Sequence, residues 1–414
     1  MSKRIFLFCT TLLILTGCWD LKEVEQQAYV IAIGLDKSDD RENAIDVTFL
    51  ISNPEFGTEQ ESSSTDQPTE QILTLEDTDF ISARDLADSV LPKATTFDML
   101  EHIIISEDLA KRNAFPRWIY DAAKDSEIRR DIELLVSKDK VKKLFHKHKK
   151  SILEPRPHKY WKLKIDQATN TGLAPPDSEL LNYFRITEAG PDMFLSLHTD
   201  LLTKGISDEN NSDTMSKEKI DPTKNEDRPE FIGSAAFKNG KMIGKLSGEE
   251  TRTALMLNKT FPRKEFIANF EDPFNKKYNM AIKVIKYSNA KTTMNLKKNP
   301  EQIHVKVPML IETLTNHSMT DYESAKNRKK LQKYLEKEFE QSMQKLVKKT
   351  QKEFKAQPFG WSLEARKQFP TIQQYNQFNW AKKYPKMDVS FDVEVTISDY
   401  GRQKSVPRYK EIHK

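Results

Sequence analysis

Cysteine is nearly missing from this chain: two residues among 414, Cys9 and Cys18. That excludes a disulfide framework, a thiolate metal cluster and a CxxC redox pair. Long apolar runs are missing too. None reaches the ~20 residues that a membrane-spanning helix needs. Glycine is sparse at 12 residues, and no GxGxxG, GxSxG or HExxH pattern occurs. An excess of one charge is also lacking: 66 Lys and Arg stand against 62 Asp and Glu, a formal +4. Lys3 and Arg4 supply half of that excess. Such a balanced surface argues against nucleic acid as the partner.

The one concentrated apolar stretch lies at the start. Met1-Ser2-Lys3-Arg4 is basic, residues 5–15 are apolar, and Thr16-Gly17-Cys18 follows before the chain turns charged at Asp20, Lys22 and Glu23. A basic head, a 7–15-residue apolar segment and a small residue form a secretory signal. Leu15-Thr16-Gly17-Cys18 resembles the bacterial lipobox, in which the cysteine sulfur accepts a diacylglyceryl group and the leader is cut off before it, here after Gly17. An ordinary cleaved leader with an incidental cysteine is the competing reading. Cys9 leaves with the leader, so the mature chain cannot close an internal disulfide. Trp19, beside the anchor, suits either the lipid interface or packing on its own domain.

Beyond the leader the chain alternates sheet and helix signals. "YVIAIGLD" (29–36) reads as a buried strand and "AIDVTFLIS" (44–52) as its hairpin partner. A polar loop is expected over 56–71 and a helix over 79–91. "HIIIS" (102–106), a helix, a break at Pro116, a second helix and "IELLVS" then give strand, helices, strand. Residues 205–230 are almost devoid of apolar side chains and are expected to be a mobile linker or long loop. "EFIGSAAFKNGKMIGKLSGEETRTALMLN" follows, with strands about Lys238-Asn239-Gly240 and a helix from Gly248. "MAIKVIKYS", "IHVKVPMLIETL" and "DVSFDVEVTISDYG" alternate as strands. Leu331, Leu335, Phe339, Met343 and Leu346 share one face of a helix of about 30 residues between 322 and 354. The reading is a mixed α+β, multi-domain protein. Its divisions are a leader at 1–17, a tether at 18–28, an N-terminal α/β region at 29–204, the polar segment at 205–230, a C-terminal α/β region at 231–402 that is open to a further split, and a tail at 403–414.

Candidate chemistry is thin. Gly240 to Leu246 has the outline of a phosphate loop but one spacer too few, and Leu246 stands where Ser or Thr would hold magnesium. A hairpin explains it better. His146 and His148 lack further metal ligands and read as part of a solvated basic face. Glu249-Glu250 suits the first turn of a helix, where carboxylates meet the positive dipole end. "SKDKVKKLFHKHKK" (137–150) is an amphipathic surface helix or a contact for anionic headgroups. No catalytic residue, cofactor site or metal site is expected.

Several blocks resemble the Ger(x)C family of spore-germination lipoproteins, the C subunits of nutrient germinant receptors: "GCWDLKEVEQQAYVIAIGLDK", "HIIISEDLA", "EIRRDIELLVSK", "GSAAFKNGKMIGKLSGEET", "FGWSLEARKQFP", "NWAKKYP" and "VEVTISDYG". The likeness runs over nearly the whole chain. It departs at the long charged segment 205–230 and at Thr95-Thr96-Phe97 to Glu101, where a more apolar lead-in to the "HI" strand is the pattern. The resemblance implies a three-domain mixed α/β protein, held by lipid on Cys18 at the outer face of the spore inner membrane. It implies two membrane-embedded partners, the receptor's A and B type subunits, no enzymatic activity and no cofactor. Whether the chain itself binds nutrient stays open. The rival classes are a lipid-anchored small-molecule-binding protein, which should show a two-lobed α/β repeat, and an exported hydrolase.

Overall fold

In the computed structural model, residues 23–41, 43–52, 70–147, 153–201, 229–259 and 265–399 are described. Two mixed sheets organise them. The first has nine strands: β1 (Gln27–Lys37), β2 (Ile45–Ser52), β3 (Glu70–Asp77), β4 (Ala94–Thr96), β5 (His102–Ser106), β6 (Glu133–Ser137), β7 (Phe194–Leu201), β8 (Pro229–Lys238) and β9 (Lys241–Leu246). Their order is β3-β2-β1-β5-β6-β7-β8-β9, with β4 beside the start of β1. The central strands β1, β5, β6 and β7 are parallel. Antiparallel strands flank them on both sides. The expected β1–β2 hairpin is present, and Thr95-Thr96, where the family pattern is broken, forms β4 parallel to β1. β7 pairs with β8 across the polar segment, so strands from both sides of it share one sheet.

Both faces of this sheet are covered. On one side lie α1 (Phe80–Asp88), α2 (Glu107–Ala110), α3 (Phe115–Ile119) and, further along the chain, the helix Leu180–Ala189. They bury Phe80, Leu109, Phe115, Trp118 and Tyr183 against Ile33, Ile105, Leu134 and Phe237. On the other side lie α4 (Val141–Lys147) and α5 (Pro157–Asn170), with Val141, Phe145, Trp161 and Ile165 packed on Ile31, Ile104, Leu135 and Leu197. Strands buried on both faces read as continuous apolar runs, which is how "YVIAIGLD" and "HIIIS" read. The helix Leu180–Ala189 is α6.

The Gly-x-Asp end of β1 places α4. The Asp36 carboxylate accepts from the Val141 and Lys142 amides at 2.8 and 2.9 Å, supplying the cap that the first turn of α4 needs. Gly34 lets the helix approach, for a Cβ there would stand 2.6 Å from Val141 Cγ1. Val141, Leu144 and Phe145 are buried in this contact, so the apolar side of α4 is core, while Lys142, His146 and Lys147 are exposed.

The second sheet comprises β10 (Glu265–Glu271), β11 (Asn279–Ile285), β12 (Lys291–Asn295), β13 (Gln302–Thr313) and β14 (Asp388–Asp399). β13 is its spine. β11 and β12 pair antiparallel along one side of it, and β14 runs parallel along the other from Gln302 to Glu312. One face is covered, by α7 (Gly248–Leu257) and by α8 (Ala325–Lys349), whose Leu331, Leu335, Phe339, Met343 and Leu346 are all buried. The expected helix of about 30 residues is thus 25 residues of α-helix, starting at the Ser324 cap, followed by one π-helical turn, Thr350–Phe354. α9 (Trp361–Arg366) and two further short helices, Ile372–Phe378 and Trp380–Lys383, close the end of this core around the buried Trp361, Trp380 and Tyr384.

The candidate functional site at the seam between the sheets

The most distinctive blocks of the sequence converge where β9, α7 and the end of α8 meet. Ser247 caps α7 in a reciprocal box: its hydroxyl accepts from the Glu250 amide at 3.2 Å while Glu250 accepts from the Ser247 amide at 2.9 Å. Lys349, in the last turn of α8, ties the corner together, bonding Glu250 Oε2 at 2.7 Å and the Lys245 carbonyl at 3.0 Å. That carbonyl belongs to the edge strand β9, so a lysine occupies an edge otherwise open to another strand. Gly244 meets the ring of Phe354, and a Cβ there would stand 2.5 Å from Cε1. Ser234 and Thr251 share a buried hydroxyl bond at 2.8 Å.

A groove of about 500 Å³ runs along this corner, bordered by His198, Ile243, Lys245, Glu250, Lys349 and Phe354. Beneath it Glu107 lies 3.3 Å from Lys245, 3.6 Å from the buried His198 and against Lys111. Burial alone would raise the Glu107 carboxyl. The adjacent His198 ring, the Lys111 bond and the Lys245 charge outweigh it and hold the group well below the usual carboxylate range. The groove's charges are thus largely spent on one another and on joining elements.

A second junction lies where the chain enters β7. Asp192 accepts from Gln357 Nε2 and from Ser362 Oγ, each at 2.6 Å. Gln357 in turn takes the Phe359 amide at 2.6 Å and gives its carbonyl to the Met193 amide at 3.0 Å. Burial pushes the Asp192 carboxyl up to about 6, against the pull of the Ser362 bond, the Arg185 charge and the Gln357 bond. A carboxylate from the first sheet region is thereby clasped by the "QPFGWS" turn of the second.

Cys18, Gly17, Trp19 and His148 lie outside the described residues, as do 53–69, 205–228 and 400–414. His146 is exposed near the end of α4. Gly240 to Leu246 is the hairpin turn and β9, and Glu249 and Glu250 fill the first turn of α7, as the sequence suggested. Asp192, Gln357, Ser362 and the Glu107–His198–Lys245 cluster were not singled out by sequence. Ser362 lay within a recognised block, but nothing local marks its partner 170 positions away. Among the described residues no group of three or more His, Cys, Asp or Glu side chains is placed to hold a metal, and no helix is long and apolar enough to cross a membrane.

This two-sheet body with a charge-paired seam belongs to a family of germination proteins. Residues 20–197 match the family described as "Spore germination protein N-terminal domain", and residues 232–401 match "Spore germination B3/ GerAC like, C-terminal". The chain belongs to this Ger(x)C family, which is one of germinant receptor subunits rather than enzymes, with a role in spore germination. It is similar to spore germination protein B3 of Bacillus subtilis (strain 168), 23% identical over 397 residues, covering 94% of this chain and 96% of that one. It is also similar to spore germination protein A3 of the same organism, 32% identical over 148 residues, or 35% and 38% of the two chains. The crystal structure of the GerBC protein shares the fold, with a TM-score of 0.50 and 16% identity over 91% of this chain and 99% of that one.

Proposed function

We propose that this protein is the lipid-anchored, non-enzymatic C subunit of a nutrient germinant receptor. In this reading it is held at the outer face of the spore inner membrane by a diacylglyceryl group on Cys18, after cleavage behind Gly17. It acts through contacts with the receptor's membrane-embedded A and B type subunits. The observation that carries the reading is the lipobox Leu15-Thr16-Gly17-Cys18 directly ahead of a body that matches the family in both halves. A tether from Cys18 to the start of β1 at Gln27 reaches about 30 Å at most when fully extended. That keeps the body near the bilayer, at high effective concentration for membrane partners. The polar segment ahead of β8, which begins at Pro229, should be the first site cut in limited proteolysis of the folded chain, and strong protection there would mark it as docked.

The test is Cys18→Ala. Lipid labelling should vanish and the chain should stay unprocessed or be released. Labelling that survives the substitution ends the anchor reading. Insertion of a Gly/Ser segment of about 30 residues after Asp20 should leave lipidation intact and weaken germination at matched protein levels, because a longer linker lowers the effective concentration.

A further inference from the structure

The solvent side of α8 is dominated by positive charge along its crest. Lys326, Lys330, Lys333 and Lys337 are exposed and spaced four, three and four apart, which puts them on one helical face. Gln341 and Gln344 continue the line and Lys348 ends it. The face lies opposite the buried Leu331, Leu335, Phe339 and Met343. From Lys326 to Lys348 the row runs roughly 33 Å at 1.5 Å per residue. Among the described residues none of these five lysines makes a salt bridge. Lys330 sits over the Phe274 ring at 4.4 Å, a contact that leaves its charge unpaired. Glu340, three residues beyond Lys337 and exposed, is the acid that the same spacing brings to this face, set against five lysines. The first turn of α8 holds no acidic residue at all. Cations there oppose the helix dipole, so the helix carries a small cost to keep Lys326 at that end.

We propose that this row is the face by which the protein body lies against an anionic lipid surface, an inference that rests on the membrane anchor proposed above. The row has charge and no anchor. Protein interfaces draw their affinity from buried aromatic and aliphatic side chains in pockets, and the crest of α8 offers none. A straight row of cations with amide side chains between them fits a plane of mobile anionic headgroups, where each lysine near the surface adds to the attraction and salt removes it. The short tether and the row then act together: the lipid on Cys18 sets the distance, and α8 sets the orientation. The bare face of the second sheet, on the opposite side of β13 and β14 from α8, would be turned away from the bilayer.

The experiment uses the full acylated chain, reconstituted into vesicles of phosphatidylcholine alone or of phosphatidylcholine mixed with phosphatidylglycerol. A thiol-reactive fluorophore is placed at Gln341→Cys on the crest or at Thr396→Cys on the bare sheet face. Headgroup-attached quencher reports proximity, and flotation reports attachment. Strong quenching at position 341 is expected only with phosphatidylglycerol present. It should be reversed by high salt and lost when Lys326, Lys330, Lys333, Lys337 and Lys348 are all changed to Gln, while position 396 stays bright throughout. These substitutions are on exposed side chains, and an unchanged melting curve checks that the variant folds. A chain that floats with the vesicles but shows position 341 no closer than 396, or quenched equally without anionic lipid, overturns the lipid-facing row and leaves the anchor standing. A row shielded only in native membranes and not in protein-free anionic vesicles overturns it in favour of an acidic protein face. A chain that floats with neither vesicle overturns the anchor reading and this face together.

Discussion

In the nine-stranded sheet, consecutive side chains of a central strand are both removed from water; in the five-stranded sheet, only every second one is. Ile103, Ile104 and Ile105 of β5 are each 1% exposed or less. Ile303, Val305 and Val307 of β13 are buried, whereas His304 is exposed and Lys306 and Pro308 are half-exposed. The cause is the layer arrangement: helices on both faces of a parallel core in one case, α7 and α8 on one face of an open sheet in the other. The first region behaves as a scaffold with no free face. The second keeps one sheet face and the crest of α8 in solvent, and new contacts can form there without cost to the core.

The largest effects should separate the two patterns directly. Ile104→Ala and Ile105→Ala point to opposite faces of the first sheet, and each should cost about 2–5 kcal/mol. In the second sheet Ile303→Ala should cost a similar amount, while its neighbour His304→Ala should stay within about 0.5 kcal/mol. Chemical denaturation of the four variants is the check. Equal losses at 303 and 304 would mean that the bare face is covered.

The seam offers a sharper probe, because its carboxylate responds to pH. The folded Asp192 carboxyl titrates at about 6, above its ordinary 3.8, so the folded state binds the proton more tightly than the unfolded one. Its contribution to stability is therefore fully present below the unfolded value and is lost as pH rises through 6. Wild-type stability should gain up to about 1.4 kcal/mol per pH unit from this group on going from pH 6 towards 4. Asp192→Asn should remove that slope, read as the difference in unfolding midpoint between the two chains across the range. A smaller effect is expected at the other end of the seam. Ser247→Ala should cost about 1 kcal/mol through loss of the α7 cap, without the pH dependence.

What could be read from the chain beforehand follows the same division. The buried runs "YVIAIGLD", "HIIIS" and "IELLVS" marked β1, β5 and β6, and the alternating "IHVKVPMLIETL" and "DVSFDVEVTISDYG" marked β13 and β14. β3, β10 and β12 escaped notice because they are short, charged or at an edge, and their pairing comes from a neighbour's register rather than their own pattern. β7, α5 and α6 fell in a stretch where Leu, Thr and Lys suit either helix or strand. The blocks that suggested the family turned out to be joints. Gly34 and Asp36 seat α4, Ser247 and Glu250 cap α7, and Phe359 to Ser362 form the turn that clasps Asp192. The α7 cap is local, but the partners in the other two joints lie far apart in sequence, as Asp36 and Val141 do, and no local pattern records such distances. The candidate anchor was the reverse: Leu15 to Cys18 is read entirely from adjacent residues.

The parallel pairing of β13 with β14 has a consequence for how the chain can be made. β14 must travel past α8 and the helices that follow before it can lie beside β13 along nearly its whole length. Until those last strand residues arrive, β13 has one uncovered edge and α8 lacks much of the surface it rests on. The N-terminal sheet also waits, since β8 and β9 come only after residue 228. Such distant pairings close slowly. A chain delivered N-terminus first would therefore stay loose through most of its passage and lock its two halves in sequence. The second sheet would be sealed last, by β14, after β13, α8 and the helices ahead of β14 have already emerged.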